Sequence, residues 1–395
     1  MEKITGDIAS PKGFHADGIH CGLKKRRKDI GWIYSDVPAV IAGVFTTNLV
    51  QAAPVTYTKS VVAKGQAQAV VVNSGNANAC TGAQGVKDTA TMAQLAGAAL
   101  AINPDLVAVA STGVIGKILP METVATGISE LGAGVGSDFQ QAILTTDTCE
   151  KSVVYQEIIA GKTVTLAGCG KGSGMIHPNM ATMLGFVTTD VAIEQSLLQQ
   201  VLRELTETTF NQITVDGDTS TNDMVLILAN GQAGNPVIKA NTFEYQQFKK
   251  VLEKVLTFLA KAIAKDGEGA TKLIEVITTG AKDDLAARMI SKTVVGSPLV
   301  KTAIFGKDPN WGRILCAIGY SGVELEVTTL KISIGEHCVF DQGTPVLFDK
   351  EAMGSYLEQP ELVIQVKLAD GTGKGRAWGC DLTYDYVKIN ALYHT

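Results

Sequence analysis

A strong net charge and long apolar runs are both missing from this chain. Its 395 residues include 34 Lys and Arg against 39 Asp and Glu, and the formal net charge of −5 does not indicate binding to nucleic acid or to an anionic membrane. No apolar run reaches the length of a membrane span, and no apolar segment of the signal-peptide type follows the charged N-terminus. The sequence therefore predicts a soluble, cytoplasmic protein with no nucleic-acid or membrane partner.

Cysteine and histidine are also scarce, and their spacing argues against several kinds of site. The seven cysteines are dispersed, odd in number and form no CxxC pair, which disfavours a disulfide framework or a zinc site and predicts reduced thiols. The five histidines occur without an HExxH motif or a triad context, so a Ser-His-Asp hydrolase is not supported. His177, which precedes Pro178, is predicted to be a turn residue or a hydrogen-bond partner rather than a catalytic base.

Aromatic residues make up only 6% of the chain, whereas 41 residues are glycine and 46% are apolar, which predicts a sizeable core of closely packed elements. Short apolar runs alternate with longer amphipathic segments, as in a mixed α/β fold. Strands are predicted at 40–46, 69–73, 106–111, 164–167, 183–187, 224–229, 273–278, 300–305, 331–334, 361–367 and 376–388. Helices are predicted at 84–102, 121–131, 193–209, 242–264 and 283–294. The length suggests two or three domains, with a boundary near residue 182 and a compact α+β region at the C-terminal end.

The most informative segment is residues 171–185, which contains Lys171, three glycines and the two hydroxyl side chains of Ser173 and Thr182. An internal Thr hydroxyl has no base of its own. A Thr at a chain N-terminus has one, because a free α-amine titrates near pH 7.7–8.0 and can accept the hydroxyl proton. Thr182 follows the small residue Ala181 and begins an apolar strand. The segment therefore predicts a cut between Ala181 and Thr182 that makes Thr182 a nucleophile, although a Gly-rich turn before a strand is also a common structural feature.

Four further clusters each have a functional and a structural interpretation. Residues 111–116 could present backbone N–H groups to a developing oxyanion, or form an ordinary turn after a strand. Residues 144–148 could offer hydroxyls to a ligand, and locally a helix or turn cap is favoured. Residues 216–223 superficially resemble a calcium loop, but they lack its ligand rhythm and its downstream Glu, so metal binding is disfavoured. Glu268 lies between two glycines, where its carboxylate could approach a cationic amino group, or it belongs to a charged surface turn.

Two basic or glycine-rich runs are interpreted structurally. The run Lys-Lys-Arg-Arg-Lys at 24–28 is predicted to be a solvated hairpin edge, because charged edges block unwanted strand pairing. The run Gly-Lys-Gly-Ser-Gly at 170–174 does not fit the GxxxxGK[ST] phosphate loop, so nucleotide binding there is discounted.

Taken together, the motifs resemble those of one family. They are KGSGMIHPNMATMLGFVTTD, STGVIG, TTDT, TVDGDTSTND, DGEGATKLIEV, DPNWGRI and a tail that contains Asn390 and Thr395. In this order they closely resemble the ArgJ family, the ornithine acetyltransferases or glutamate N-acetyltransferases, over essentially the whole chain. The resemblance implies an N-terminal-nucleophile fold of the ArgJ/DmpA type. It also implies self-cleavage at Ala181–Thr182 into an α chain of residues 1–181 and a β chain of residues 182–395, assembled as an (αβ)₂ heterotetramer.

The resemblance also implies a reaction and a set of site residues. The acetyl group of N-acetyl-L-ornithine would pass to Thr182 and then to L-glutamate, within the cyclic route of arginine biosynthesis and with no metal or organic cofactor. Thr112 and Gly113 would match the oxyanion hole. The residues that would match substrate contacts are Thr145 (with Thr146 as its close competitor), Lys171, Thr182, Glu268, Asn390 and Thr395. Some members of the family also accept acetyl-CoA as a donor, and the motifs are compatible with either specificity.

The tail departs from the usual family pattern at Leu392 and His394, which replace commonly polar residues. This difference affects the expected acceptor preference more than the main reaction. Two alternatives to acetyl transfer are kept. An aminopeptidase or amidase of similar self-processing type would release its product to water, and a non-catalytic amino-acid-binding protein would remain an uncut chain.

Overall fold

The computed structural model describes residues 1–177 and 183–392. Ala181, Thr182, His394 and Thr395 lie outside these described residues, so the predictions about them are not addressed by the coordinates. The strands are β1 (Glu2–Ile4), β2 (Phe14–Ile19), β3 (Ile30–Phe45), β4 (Gln66–Asn76), β5 (Val107–Val114), β6 (Lys151–Ile159), β7 (Lys162–Lys171), β8 (Leu184–Thr189), β9 (Ile213–Thr214), β10 (Met224–Ala229), β11 (Leu273–Ala281), β12 (Lys331–Ile334), β13 (His337–Asp341), β14 (Thr344–Pro345), β15 (Glu361–Lys367) and β16 (Gly373–Cys380). The helices are α1 (Ala53–Lys64), α2 (Gly82–Leu100), α3 (Met121–Glu130), α4 (Gly136–Ala142), α5 (Gln195–Thr208), α6 (Phe243–Lys265), α7 (Asp284–Gly296), α8 (Pro298–Phe305), α9 (Trp311–Gly319), α10 (Lys350–Leu357) and α11 (Tyr384–Leu392).

The strands form two mixed sheets, which confirms the mixed α/β fold class. The first sheet has the order β1-β6-β7-β8-β10-β3-β4-β5, with β2 paired to β3, and the second has the order β14-β13-β12-β15-β11-β16-β9. Strand β8, which follows residue 182, pairs antiparallel with β7 and parallel with β10. The first sheet therefore contains strands from both sides of the expected cut.

Two helices lie between the sheets and form the central core with them. Helix α6 contacts β6 and β7 of the first sheet and β11 and β16 of the second. Apolar side chains of α5 and α6 share one buried cluster with Val187 of β8, Leu273 of β11 and Trp378 of β16. All six residues of both β8 and β10 are buried, as expected for strands covered on both faces. The start of β8 is therefore held rigidly at the centre of the molecule.

The outer faces of the sheets carry the remaining helices. Helices α1 and α4 pack on the other face of the first sheet, and α2 and α3 cover its β4–β5 end. The second sheet is covered by α7, α9 and α10. Among the described residues, no helix is both long and apolar enough to cross a membrane, and no group of His, Cys, Asp and Glu is arranged to hold a metal ion. All seven cysteines are free.

Most predicted elements match the observed ones within a few residues, but two predictions are wrong. Residues 300–305 belong to helix α8 and not to a strand. Ser297 caps this helix by accepting a hydrogen bond from the Val300 N–H at 3.4 Å, and Pro298 occupies its first turn. The predicted strand 376–388 ends at Cys380 and is followed by helix α11. No residue of α11 is fully buried, so the helix has no apolar stripe by which its sequence could be recognised.

Candidate active site

A cavity of about 200 Å³ lies where β5 and β7 end and β8 begins, closed on its other sides by the loop before β10 and by α11. All the site residues that the sequence singled out and the structure describes line this one cavity. They are Thr112, Gly113, Thr145, Thr146, Lys171, Glu268 and Asn390. Met183, the residue after Thr182, also lines it. The structure thus brings together residues that are up to 278 positions apart in the sequence, while their individual roles stay predictions.

Lys171 is a buried cation at the end of β7, where it pairs with Leu184 at the start of β8. Its Nζ donates a hydrogen bond to Thr112 Oγ1 at 3.3 Å, which links the two predicted parts of the site. Burial lowers the pKa of the Lys171 ammonium, and the carboxylates of Asp147 and Asp223 oppose this shift. Because β7 and β8 are adjacent, Lys171 lies beside the first residue of β8, Leu184.

Thr112 and Gly113 lie at the end of β5, where it pairs in parallel with β4. Gly113 has a φ of 131°, and a Cβ atom at this position would collide with the backbone of Gly75, so the position requires glycine. Asn222 donates to the carbonyl of Ser111 at 2.8 Å and so connects this turn to the loop before β10. The turn at Thr112 and Gly113, which is predicted to hold an oxyanion, is therefore held by β4 on one side and by Asn222 on the other.

A buried charge network supports the threonine loop of the site. Asp147 accepts hydrogen bonds from the N–H groups of Thr145 at 3.0 Å and Gly172 at 2.6 Å. Lys151, whose side chain is fully buried, donates to Asp147 at 2.6 Å and to Asp266 at 2.5 Å. Burial disfavours the charged form of Asp147, but the Lys151 and Lys171 ammonium groups outweigh it and lower the pKa of this carboxyl to about 2. Residues 144–148 therefore fit both interpretations of their sequence. Asp147 stabilises the turn, and its neighbours Thr145 and Thr146 line the cavity.

The two threonines of this loop differ in their contacts. The hydroxyl of Thr146 is hydrogen-bonded to Ser173 Oγ at 2.6 Å. Within residues 1–177 and 183–392 the hydroxyl of Thr145 makes no such bond. Among the residues that the structure describes, the Thr146 hydroxyl is thus occupied and the Thr145 hydroxyl is not, which supports Thr145 over Thr146 as the substrate contact.

Glu268 gives the cavity a carboxylate, and Asn390 lies next to it. Asn390 Nδ2 donates to Glu268 Oε2 at 2.8 Å, which orients the carboxylate. Gly174 lies against this carboxylate, and a Cβ atom there would collide with it. Asn390 and Tyr386 are carried by α11, so this helix, whose first residues were wrongly predicted as part of the strand 376–388, supplies one wall of the cavity.

The loop at 216–223 contributes residues that sequence reasoning did not place in the site. Asp216 accepts hydrogen bonds from the N–H groups of Met175 at 2.6 Å and Ile176 at 2.8 Å, and so holds the turn that precedes residue 178. Asp223 is buried and lines the cavity, and burial raises the pKa of its carboxyl well above the usual range. The sequence signal for these contacts was an acidic loop directly before a buried strand. The signal did not reveal the contacts, because the N–H groups that Asp216 binds lie about 40 residues earlier in the chain.

The basic run at 24–28, here called the basic loop, connects β2 to β3. Lys24 Nζ donates to the Leu144 carbonyl at 2.8 Å. Arg27 Nη1 donates to the Asp147 carbonyl at 3.2 Å, and Lys28 pairs with Asp138 at 2.5 Å. The loop is at a hairpin as predicted, but three of its side chains are engaged in contacts rather than freely solvated.

His177 donates or accepts a hydrogen bond to Thr214 Oγ1 at 3.0 Å, and its carbonyl accepts one from Thr219 Oγ1 at 2.9 Å. Burial, with a smaller contribution from Lys292, lowers the pKa of its imidazole from 6.5 to about 4. His177 is thus a hydrogen-bond partner, as predicted, and is neutral near pH 7.

The shifted pKa of His177 predicts a pH dependence of stability. Between pH 6.5 and about 4 the unfolded chain binds more protons than the folded one, so this contribution to stability is complete above pH 6.5 and is lost as the pH falls towards 4. Because the ring is partly exposed, we expect a loss of about 1–2 kcal/mol. His177→Gln should remove this part of the slope in denaturant unfolding between pH 7 and pH 4. His15→Gln, which changes a surface imidazole, is the control, and equal slopes in the two variants would contradict the assignment.

Comparisons with known proteins give a consistent result. A family model described as "ArgJ family" matches residues 15–395. The "Arginine biosynthesis bifunctional protein ArgJ" of Staphylococcus epidermidis is 56% identical over all of both chains. The protein of the same name from Bacillus subtilis strain 168 is 54% identical over 100% of this chain and 98% of its own. A crystal structure of the arginine biosynthesis bifunctional protein argJ from Bacillus halodurans superposes with a TM-score of 0.52 at 54% identity, covering 53% of this chain and 98% of that one.

Proposed function

Because this chain belongs to the ArgJ family of arginine biosynthesis, we propose that its cavity transfers the acetyl group of N-acetyl-L-ornithine to L-glutamate. The family assignment carries the proposal, because it covers residues 15–395 and because the described site residues meet in one cavity. The volume of about 200 Å³ suits an acylated amino acid. The products are ornithine and N-acetylglutamate, so acetyl groups are recycled rather than consumed.

The proposed enzyme first cuts itself between Ala181 and Thr182. The Thr182 hydroxyl attacks the Ala181 carbonyl carbon, the C–N bond breaks as the nitrogen gains a proton, and water hydrolyses the resulting ester. This sequence frees the α-amine of Thr182. Two observations support a cut here: Ile176 and Met183, on either side of the segment, line the cavity, and the solved Bacillus halodurans chain matches only 53% of this chain. Residues 182–395 make up a similar share, about 54%.

Acetyl transfer then proceeds in two half-reactions. The Thr182 amine takes the hydroxyl proton, the Thr182 oxygen attacks the acetyl carbonyl, and the oxyanion forms beside Thr112 and Gly113. The C–N bond of acetylornithine breaks, and its amine leaves as ornithine with the proton held by the Thr182 amine. Glutamate enters the same cavity, its amine attacks the acetyl ester, and Thr182 is regenerated. A ping-pong scheme requires one cavity to accept both amino acids in turn.

The charges of the cavity fit both substrates. Each substrate carries an α-carboxylate, and Lys171 is the ammonium group that lines the cavity among the described residues. Glu268, Asp216 and Asp218 also line the cavity, and their carboxyl groups suit the side-chain ammonium of ornithine. Glutamate has no such group, so it depends more on neutral hydroxyl and amide contacts. This mixed lining allows the two substrates to alternate.

The proposal extends to assembly, location and a second donor. The enzyme is proposed to be an (αβ)₂ heterotetramer in the cytoplasm. The pairing of β8 with strands from both sides of the cut supports the part of this proposal in which one α chain stays bound to one β chain. The printed description of the relatives as bifunctional supports a second activity, in which acetyl-CoA acetylates glutamate. No metal or organic cofactor enters the proposed reaction.

The proposed activity is tested by incubating the purified enzyme with N-acetyl-L-ornithine, with and without L-glutamate. We expect ornithine and N-acetylglutamate in equal amounts when glutamate is present, and little turnover without it. Steady release of acetate in the absence of glutamate would instead identify an amidase. An intact protein that binds acetylornithine without turnover would identify a binding protein.

Lys171→Ala should weaken substrate binding more than it slows cleavage, because the ammonium recognises the substrate carboxylate and does not take part in bond formation. We expect the KM for acetylornithine to rise by about tenfold or more, as for loss of a charge-assisted hydrogen bond. The control is Lys162→Ala, at the exposed opposite end of the same strand. An unchanged KM in Lys171→Ala would remove this residue from the binding site.

A further inference from the structure

The basic loop is a positive surface next to the cavity, where it contacts the threonine loop that forms part of the cavity wall. We propose that this loop binds the phosphate groups of a nucleotide-borne acyl thioester, which delivers its acetyl group to Thr182 in place of acetylornithine. The inference rests on the proposed function, because it concerns the second donor of the same site. It names the surface that would recognise that donor.

The loop is held in a defined conformation by a buried carboxylate. Asp29, which is fully buried, accepts hydrogen bonds from the backbone N–H groups of Cys21 at 2.7 Å and Lys24 at 2.8 Å. His20 Nδ1 lies 3.1 Å from the same carboxylate. The positive charges of the loop are therefore displayed on a fixed backbone, which lowers the entropy that a ligand must overcome on binding.

The loop is attached directly to the wall of the cavity. Lys24 Nζ donates to the Leu144 carbonyl at 2.8 Å, and Arg27 Nη1 reaches the Thr145 carbonyl at 3.4 Å. Thr145 lines the cavity, so only one residue separates the ligand space from the guanidinium of Arg27. Burial lowers the pKa of Lys24 to about 8, and repulsion from Lys171 contributes to the shift, which places the loop in the electrostatic field of the site.

Two of the five cations have no charged or hydrogen-bonding partner among residues 1–177 and 183–392. Lys25 and Arg26 are exposed, and neither forms an ion pair or a side-chain hydrogen bond with any residue that the structure describes. Five basic residues in sequence are unusual on a chain whose net charge is −5. A solvated hairpin edge would account for the charge, but it would not account for the attachment of Lys24 and Arg27 to the threonine loop.

The size of the cavity explains why a thioester donor needs such a surface. A cavity of about 200 Å³ holds an acetyl group with an amino acid, but it is too small for a nucleotide. The phosphates must then lie outside, where lysine and arginine are the side chains that bind them through charge-assisted hydrogen bonds. In the reaction the Thr182 oxygen forms an ester with the acetyl carbon, the C–S bond breaks, and the thiol leaves with the proton from Thr182.

The test compares two double variants with the same change in charge. Lys25→Glu with Arg26→Glu reverses the unpartnered cations of the loop. Lys162→Glu with Lys239→Glu reverses two exposed lysines that do not line the cavity. The initial rates are measured with acetyl-CoA or with N-acetyl-L-ornithine as donor and glutamate as acceptor. We expect the loop variant to raise the KM for acetyl-CoA by about tenfold or more, with less than about a twofold change for acetylornithine. Equal KM values for acetyl-CoA in the two double variants would overturn the proposal.

Direct binding separates this inference from the proposed function. Calorimetry with coenzyme A, which carries no acetyl group, should detect binding to the wild type and to the control variant and a loss of about tenfold or more in the loop variant. A wild type that transfers acetyl groups from acetylornithine but neither binds coenzyme A nor uses acetyl-CoA would overturn the inference alone. An enzyme that is inactive with acetylornithine but whose coenzyme A binding depends on the loop would overturn the proposed function and support the inference.

Discussion

The Thr182→Ala variant is expected to remain a single chain of 395 residues and to transfer no acetyl groups. The substitution removes the hydroxyl that would attack both the Ala181 carbonyl and the substrate, and an uncut chain also lacks the α-amine that would act as base. We expect turnover to fall by about 10⁴-fold or more, as when a covalent nucleophile is deleted. Intact-mass analysis under denaturing conditions, followed by the two-substrate assay, measures both effects.

Two companion variants make this result specific. Thr182→Ser keeps a hydroxyl and should still be cut, although more slowly. Ser173→Ala removes the other hydroxyl of the same segment, which is hydrogen-bonded to Thr146, and should be cut at the same bond as the wild type. A Thr182→Ala chain that still splits after Ala181, or that still acetylates glutamate, would be incompatible with the proposed mechanism.

The fold explains why such a cut need not separate the two products. Strand β8 begins two residues after Thr182 and lies between β7, from the first part of the chain, and β10, from the second. Its six residues are buried, so dissociation would expose a central strand on both faces. We therefore expect the two fragments to elute together under native conditions and to separate only in denaturant.

The regular core of this fold is predictable because its local patterns agree with its tertiary structure. Strand β10 is a continuous apolar run with the predicted bounds Met224–Ala229, and α6 shows helical apolar spacing over 23 residues. Residues 300–305 were wrongly predicted as a strand because a short segment with four apolar residues out of six fits either a strand or a buried helix. Here a serine cap with a following proline decides for helix α8. Periodicity alone cannot make that distinction.

The site was predictable only in part, and for a different reason. The motifs rich in hydroxyl side chains and glycine identify candidate site residues from the local sequence alone, and three of these, Thr112, Lys171 and Glu268, line the cavity. Lys151 lies in a strand and has no local motif, yet it joins Asp147 to Asp266, which is 115 residues further along the chain. Such a pairing is created by the tertiary fold, so no spacing in the sequence reveals it.

Lys151→Met is expected to be the most destabilising single substitution around the site. Lys151 is the only cation in a buried triad of described side chains, between Asp147 at 2.6 Å and Asp266 at 2.5 Å. Removing one partner of a buried ion pair leaves uncompensated charge in a low-dielectric interior and costs about 3–5 kcal/mol. Here two carboxylates lose the same partner, and Asp147 also holds the N–H groups of Thr145 and Gly172. The effect should therefore reach the cavity as well as the stability.

The free energy of unfolding of Lys151→Met is best measured by urea denaturation in the Thr182→Ala background, where every variant is one uncut chain. Lys162→Met, an exposed residue of the same hairpin, should stay within about 0.5 kcal/mol of the parent. Adding Asp147→Asn and Asp266→Asn to Lys151→Met should restore part of the loss, because the asparagines carry no charge and each keeps one oxygen that can accept a hydrogen bond; at position 147 one of the two backbone N–H groups, of Thr145 or Gly172, then loses its acceptor. If Lys151→Met were as stable as Lys162→Met, the triad would contribute nothing to the fold. If the added asparagines made the protein less stable still, the cause would be lost packing or lost hydrogen bonds rather than unpaired charge.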